Sequence, residues 1–455
     1  MGIPIVVVTR EGFPPVVANA FTGMGFPAEA SMVVYPIPMF IPGSDLTPIE
    51  EKLDDLIAGL TKWKPKAEGK KVIIPPKVRV EGKDYEEAFA NVNKLFLRNK
   101  WSDGLPIIPP TKERVKWLLT GTDLPPDKVV ASILPRGGIV TVETIAVNLA
   151  MAGGQPEYMP VLIAAIEAIS NPQFQHHRMN ATTSSVYPVV IVNGSIAKQV
   201  RFNSGYGCLG PDPAHPAGAS IGRAIRFLLQ DAGGAIPGKG TMSIFGGPAR
   251  YTSIVFAEDE DGVPSDWEPL NVEQGFPRGS NTVTTYAVAS TTNVVGGAAG
   301  DKASALETLN KAAGVMGIPN GNYWGRTSYN PEGAAGILLM ARGTAQGLSR
   351  LGWSKEEVKA YLWENSKVPK SEAAGWHRLE LPDAEQIFIH DPMPISMSPR
   401  GIKIVVAGGW QSGHTYWMQV GIAPKRLVSV EIKLPANWDM LLKKAEDDLG
   451  PLPVD

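Results

Sequence analysis

The chain contains one cysteine, Cys208, on a loop-like stretch, Asn203-Ser-Gly-Tyr-Gly-Cys208-Leu-Gly-Pro-Asp-Pro-Ala-His215. A helix-like run from Ala219 to Arg226 follows at once. A thiol close to a helix N-terminus feels partial positive charge, which favours thiolate. Those residue types predict a nucleophile at Cys208, with His215 of the same loop as its base. The plainer reading is a small buried hydrophobe.

The other histidines offer proton transfer. His414 closes Ala407-Gly-Gly-Trp-Gln-Ser-Gly-His414, a glycine loop after a strand-like run, where side chains commonly face ligands. His176 and His177 are adjacent, so their side chains point apart and one of them can serve as a general base. His390 precedes Asp391-Pro at a turn. No HxH or HExxH spacing occurs, so no cofactor is predicted. A metal would have to gather its ligands from distant positions, and that reading stays open.

Two carboxylates, Glu143 and Glu157, fall in the first turns of two predicted helices. Pairing with the helix dipoles accounts for them; the sharper reading brings both to a cleft as acid and base. Asn148 sits inside an apolar helix face and must find a partner. Asn193 and Asn203 each lie one or two residues before a glycine, as turn formers or as amides able to hold a developing oxyanion. Arg223, one turn into the helix after Cys208, is placed to pair a substrate carboxylate or to face solvent.

Positioning these groups takes a large core. Of 455 residues, 44% are hydrophobic and 19% charged, enough for two or three domains and too apolar for disorder. A net charge of -2 argues against a phosphate-driven nucleic-acid partner. A single cysteine excludes an internal disulfide and fits a cytoplasmic setting. No signal peptide and no apolar run of membrane-spanning length are visible, so no membrane role is expected.

From 1 to 63 the pattern reads strand (Ile3 to Thr9), helix from Pro14, strand (Met32 to Tyr35), helix. Thr47-Pro-Ile-Glu50 reads as a capping box, and Ile49, Leu53, Leu56, Ile57 and Leu60 follow at helical spacing. This is an incomplete small parallel-sheet unit, too short to stand alone. A linker over 64–83 leads into one large mixed α/β domain over 84–455, with α+β as the alternative class. Its expected elements include caps at Asp84, Thr111 and Ser354, a helical hairpin over 141–169, and strands at 129–134, 188–193, 251–258, 281–289, 402–407 and 428–434. No internal repeat is visible.

Several strings together resemble the bacterial UGSC-like proteins, named for a Gly-Ser-Cys motif carrying selenocysteine or cysteine. They are Asp103-Gly-Leu-Pro-Ile-Ile-Pro-Pro-Thr111, Val142-Glu-Thr-Ile-Ala-Val-Asn148, Met151-Ala-Gly-Gly-Gln-Pro-Glu-Tyr-Met-Pro160, Val192-Asn-Gly-Ser-Ile-Ala197, Asn203-Ser-Gly with Gly210-Pro, Ile221-Gly-Arg-Ala224 and Val405-Val-Ala-Gly-Gly409. The first unit resembles only the second half of that family's namesake domain, and the Gly-Ser-Cys motif is absent. The resemblance implies a small partner subunit that carries the motif and completes the sheet, or a lineage that has lost it. The expected function is the large subunit of a hetero-oligomeric enzyme acting on a small organic substrate by thiol-assisted addition/elimination or hydrolysis. Alternatives are thiol redox chemistry with the second thiol or selenol on the partner, a non-catalytic binding or scaffold subunit, and a metal-dependent hydrolase.

Overall fold

The computed structural model describes residues 5–27, 31–40, 43–64, 77–247, 252–297, 300–318, 333–372, 391–421 and 426–452. The fold is α/β. The strands are β1 (Val7–Arg10), β2 (Met32–Tyr35), β3 (Val129–Ile133), β4 (Gly138–Thr141), β5 (Tyr187–Asn193), β6 (Ile254–Ala257), β7 (Thr282–Val295), β8 (Gly336–Met340), β9 (Ile402–Val406), β10 (His414–Val420) and β11 (Val428–Glu431). The helices are α1 (Pro14–Gly23), α2 (Thr47–Glu51), α3 (Leu53–Thr61), α4 (Tyr85–Asn99), α5 (Lys112–Leu118), α6 (Val142–Met151), α7 (Met159–Ser170), α8 (His176–Ala181), α9 (Ile196–Gln199), α10 (Ala217–Asp231), α11 (Leu270–Glu273), α12 (Lys302–Met316), α13 (Arg342–Arg350), α14 (Lys355–Asn365) and α15 (Trp438–Leu449).

The seven-stranded sheet runs β6-β5-β7-β10-β8-β9, with β11 also on β7. Its order reads the same from both edges. A parallel pair, β6-β5 or β9-β8, meets an antiparallel neighbour, β7 or β10, and those two pair with each other. The repeat that the sequence hides is therefore one of topology. β5, β8 and most of β9 are buried on both faces, which is why they read as continuous apolar runs.

The sheet curls into a half-barrel. Its two edge strands approach at their C-terminal ends, where the Asp259 amide donates to the Val406 carbonyl at 2.8 Å. The residues Asn203 and Ser204 bridge the same gap. Ala257 N–H donates to Asn203 O (3.0 Å), and Gly408 N–H donates to Ser204 O (2.8 Å). Three apolar layers result. One fills the inside of the curl, with Ile191, Phe256, Tyr286, Ile337, Val405 and Met418. The second packs α6, α7 and α10 on the outer face of β5-β6-β7, and the third packs α12, α13 and α14 on that of β8-β9-β10.

Local signals account for most of the helix starts. Thr111 and Thr141 accept from the amides of Arg114 and Thr144, and Ser354 with Glu357 forms a full capping box. Asp84 accepts from Glu87 N, while the Glu87 carboxylate takes the Lys83 amide one residue earlier. The box expected at Thr47 is not made. Asp45 accepts from the Thr47 amide and hydroxyl instead, because Thr47 already lies inside α2.

β1 and β2 pair in parallel around α1, as the order of elements predicts. The apolar stripe behind them stays open: Leu53, Ile57 and Leu60 are 51%, 48% and 42% exposed, and α3 buries no residue. Of the expected first strand, Ile3 and Pro4 lie outside the described residues, as do 65–76 of the expected linker.

Candidate functional site

A cavity of about 540 Å³ opens at the mouth of the half-barrel, at the C-terminal ends of β8 and β9. This is where open α/β sheets commonly bind ligands. Its walls come from three places: the Cys208 loop, the glycine loop after β9, and the facing strands at Leu339, Asn293 and Tyr416. The two loops touch. A Cβ on Gly409 would come within 2.1 Å of the Tyr206 ring, so only glycine lets the ring lie there. Gly408 and Gly413 have φ of 101° and 80°, the left-handed conformations that glycine adopts freely.

Cys208 and His414 both line this cavity. The state of the thiol differs from the expectation. α10 starts at Ala217, and what governs Cys208 is burial rather than a nearby positive charge. Cys208 is 8% exposed and packs with the inner apolar layer. Burial pushes its thiol up to about 12, so it is protonated at rest.

His414 is the first residue of β10 rather than part of a loop. Its backbone is held on both sides by Thr344, whose hydroxyl accepts from His414 N (3.1 Å) and donates to His414 O (3.2 Å). Ala341 N–H adds a third bond, to His414 O. Among the described residues the imidazole has no hydrogen-bond partner, which leaves it available to a ligand.

The other expected site residues stand elsewhere. His215 binds Asp212 through Nδ1 at 2.5 Å and is absent from the cavity wall, so it anchors the loop and is not the base for Cys208. The bond to His215 holds the Asp212 carboxyl below its ordinary range. Asn203 donates to Tyr206 O and Asp212 Oδ2 and accepts from Gly205 N, which folds the loop and leaves the amide no oxyanion role. Arg223 forms a two-pronged pair with Asp103 (2.8 and 2.9 Å) and also donates to Pro106 O, so it is not free for a substrate carboxylate.

Glu143 is exposed on α6, and its amide bonds Pro126 O. Glu157 is buried on the far side, near Arg201, Lys444 and Asp448 of the C-terminal helix α15, and burial pushes its carboxyl up. These two acids do not meet in a cleft. Asn148 donates to Thr144 O at 2.8 Å, an ordinary within-helix bond, while its Oδ1 is buried with no partner among the described residues. His176 accepts from Leu134 N through Nε2 (2.8 Å), and burial lowers it to about 4, a structural role. His390, like His377, lies outside the described residues.

Asn193 belongs to a second polar group, at the C-terminal ends of the other parallel pair. Its amide donates to Glu258 Oε2 (2.7 Å) and Glu260 Oε1 (3.1 Å). Glu258 Oε2 also takes the Leu270 amide at 2.7 Å, and Glu260 Oε1 the Gly194 amide at 2.6 Å. Where the cavity stands in one half of the sheet, the other half is filled by its own side chains. The acidic run Glu258-Asp-Glu-Asp261 that supplies them carries no pattern separating it from a solvated charge run. Each acid nevertheless ties a different segment: Asp259 faces Arg342, and Asp261 pairs Lys198.

Burial pushes the Glu258 carboxyl up to about 7, against the opposing pull of Lys355 and Asn193. Among the described residues Glu258 Oε1 and Asn193 Oδ1 have no donor, and protonation relieves Oε1 of a buried, unpaired negative charge. The unfolded chain loses that proton near pH 4.5 and the folded chain near 7. Stability from this group is therefore greatest below about pH 4.5, falls as pH rises to about 7, and is then lower by about 3 kcal/mol. Glu258→Gln supplies a permanent donor. Its denaturation midpoint should exceed that of the parent chain at about pH 8 and converge with it at about pH 4.5. A variant no more stable at the higher pH would contradict the neutral acid.

Among the described residues no cluster of three or more His, Cys, Asp or Glu is arranged to hold a metal, and no helix is long and apolar enough to cross a membrane. No family profile, curated protein or solved structure matches the chain.

Proposed function

We propose that the cavity at the barrel mouth is the reaction site of an enzyme acting on a small organic molecule, by addition/elimination or hydrolysis. The observation that supports this most directly is that Cys208, on the loop before α10, and His414, at the start of β10, line one cavity. His414 is the proton-transfer residue. Cys208 enters protonated, so it acts as a proton donor, or as a nucleophile only after its own proton is taken. In an elimination, the imidazole takes the proton from one carbon. The C–H electrons become the double bond as the oxygen on the next carbon leaves, and the thiol protonates that oxygen. Cys208→Ser and His414→Gln test the assignment, and near-parental turnover in either variant removes that residue from the reaction.

The same proposal makes the chain the large subunit of a UGSC-like, cytoplasmic assembly. Support for a partner comes from the N-terminal unit, a two-stranded sheet backed by an apolar stripe that the described residues leave uncovered. Such a sheet is marginal without further strands. With the product of a neighbouring small reading frame added, the amides of β1 should gain protection from hydrogen exchange. Unchanged exchange would count against that partner.

A further inference from the structure

Resting on the cavity's role as a ligand site, we infer that its ligand is an uncharged organic molecule with an apolar, ring-sized body and one hydrogen-bonding head. The body is matched by Tyr206, Leu209, Leu339, Ala341, Ala407 and Tyr416. The head is matched by His414, Asn293 and Gln411, which can each donate or accept. A volume of about 540 Å³ suits a molecule of one or two rings.

The charge argument is the stronger one. Among the described lining residues there is no Asp, Glu, Lys or Arg. Charged residues do flank the lining, and each is turned to a partner of its own. Arg342 follows Ala341, yet its guanidinium stacks on Trp410 at 3.9 Å and faces Asp259. Asp212 lies two residues past Gly210 and is held by His215 and Asn203. A carboxylate or ammonium entering the cavity would shed part of its hydration and meet no fixed counter-charge in the wall. The wall already shows this bias, since the thiol embedded in it is driven towards its neutral form.

The test is equilibrium binding to the whole chain by calorimetry or ligand-observed NMR. Phenol and cyclohexanone serve as neutral probes, with benzoate, benzylamine and inorganic phosphate as charged ones. The neutral probes should bind at least about tenfold more tightly than the charged ones. Leu209→Trp, which adds bulk to the wall, should abolish that binding. Asn293 is exposed at the rim, so Asn293→Asp should fold normally, weaken phenol and strengthen benzylamine. The inference is overturned if a charged probe matches phenol, if neither neutral probe binds, or if phenol ignores both substitutions. Neutral-probe binding alongside full turnover by His414→Gln would sink the proposed reaction and leave the ligand class standing. A charged-probe preference with turnover lost would do the reverse.

Discussion

Turnover by the His414→Gln protein should fall by about two to four orders of magnitude, the usual contribution of a positioned acid–base group. The loss should appear in kcat and leave KM within a few-fold, because glutamine keeps polar contact with a ligand but moves no proton. The substitution should leave the strand intact. His414 is fixed through its backbone, by Thr344 and Ala341, and among the described residues its ring has no partner to lose. Added imidazole should restore part of the rate if the ring acts as a base. Unchanged kcat, or a fall confined to KM, would make His414 a binding residue only.

Cys208 should react with iodoacetamide about a hundredfold more slowly than a free thiol at about pH 8. The reasoning weighs two opposing effects. A thiol pushed up to about 12 has roughly three to four decades less thiolate than an ordinary cysteine. The thiolate that forms is more basic, and a Brønsted slope of about 0.4–0.5 returns roughly one and a half decades of that. Burial at 8% exposure slows access further. Mass spectrometry of the intact chain against glutathione measures the ratio. A rate equal to that of glutathione would show that the wall around Cys208 does not exclude charge.

Much of the site was legible in the sequence as parts, and almost none of it as an assembly. The lone thiol and the glycine loop before His414 mark two places where backbone can approach a ligand. Nothing local says that those places meet. Their meeting depends on the sheet curling until Asp259 reaches Val406, a contact between strands far apart in the chain. Arg223 shows the same limit. Its partner Asp103 lies 120 residues away, so the guanidinium looked free.

Capping signals at Thr111 and Ser354 were reliable because their chemistry closes within three residues. β4, β8 and β10 went unread for separate reasons. Gly-Ile-Val-Thr is too short, Gly-Ile-Leu-Leu-Met is a short apolar run that suits a buried helix as well as a strand, and His-Thr-Tyr-Trp-Met-Gln-Val places polar residues on a buried strand. Gln419 and Thr415 are buried there nonetheless, since β10 lies between β7 and β8.

That Cys208 and His414 act together at one reaction site is tested most directly by a double-mutant cycle on kcat. If thiol and imidazole serve one step, Cys208→Ser combined with His414→Gln should lose little more than the worse single variant. Losses that multiply fully would show two residues acting independently and would contradict a shared site.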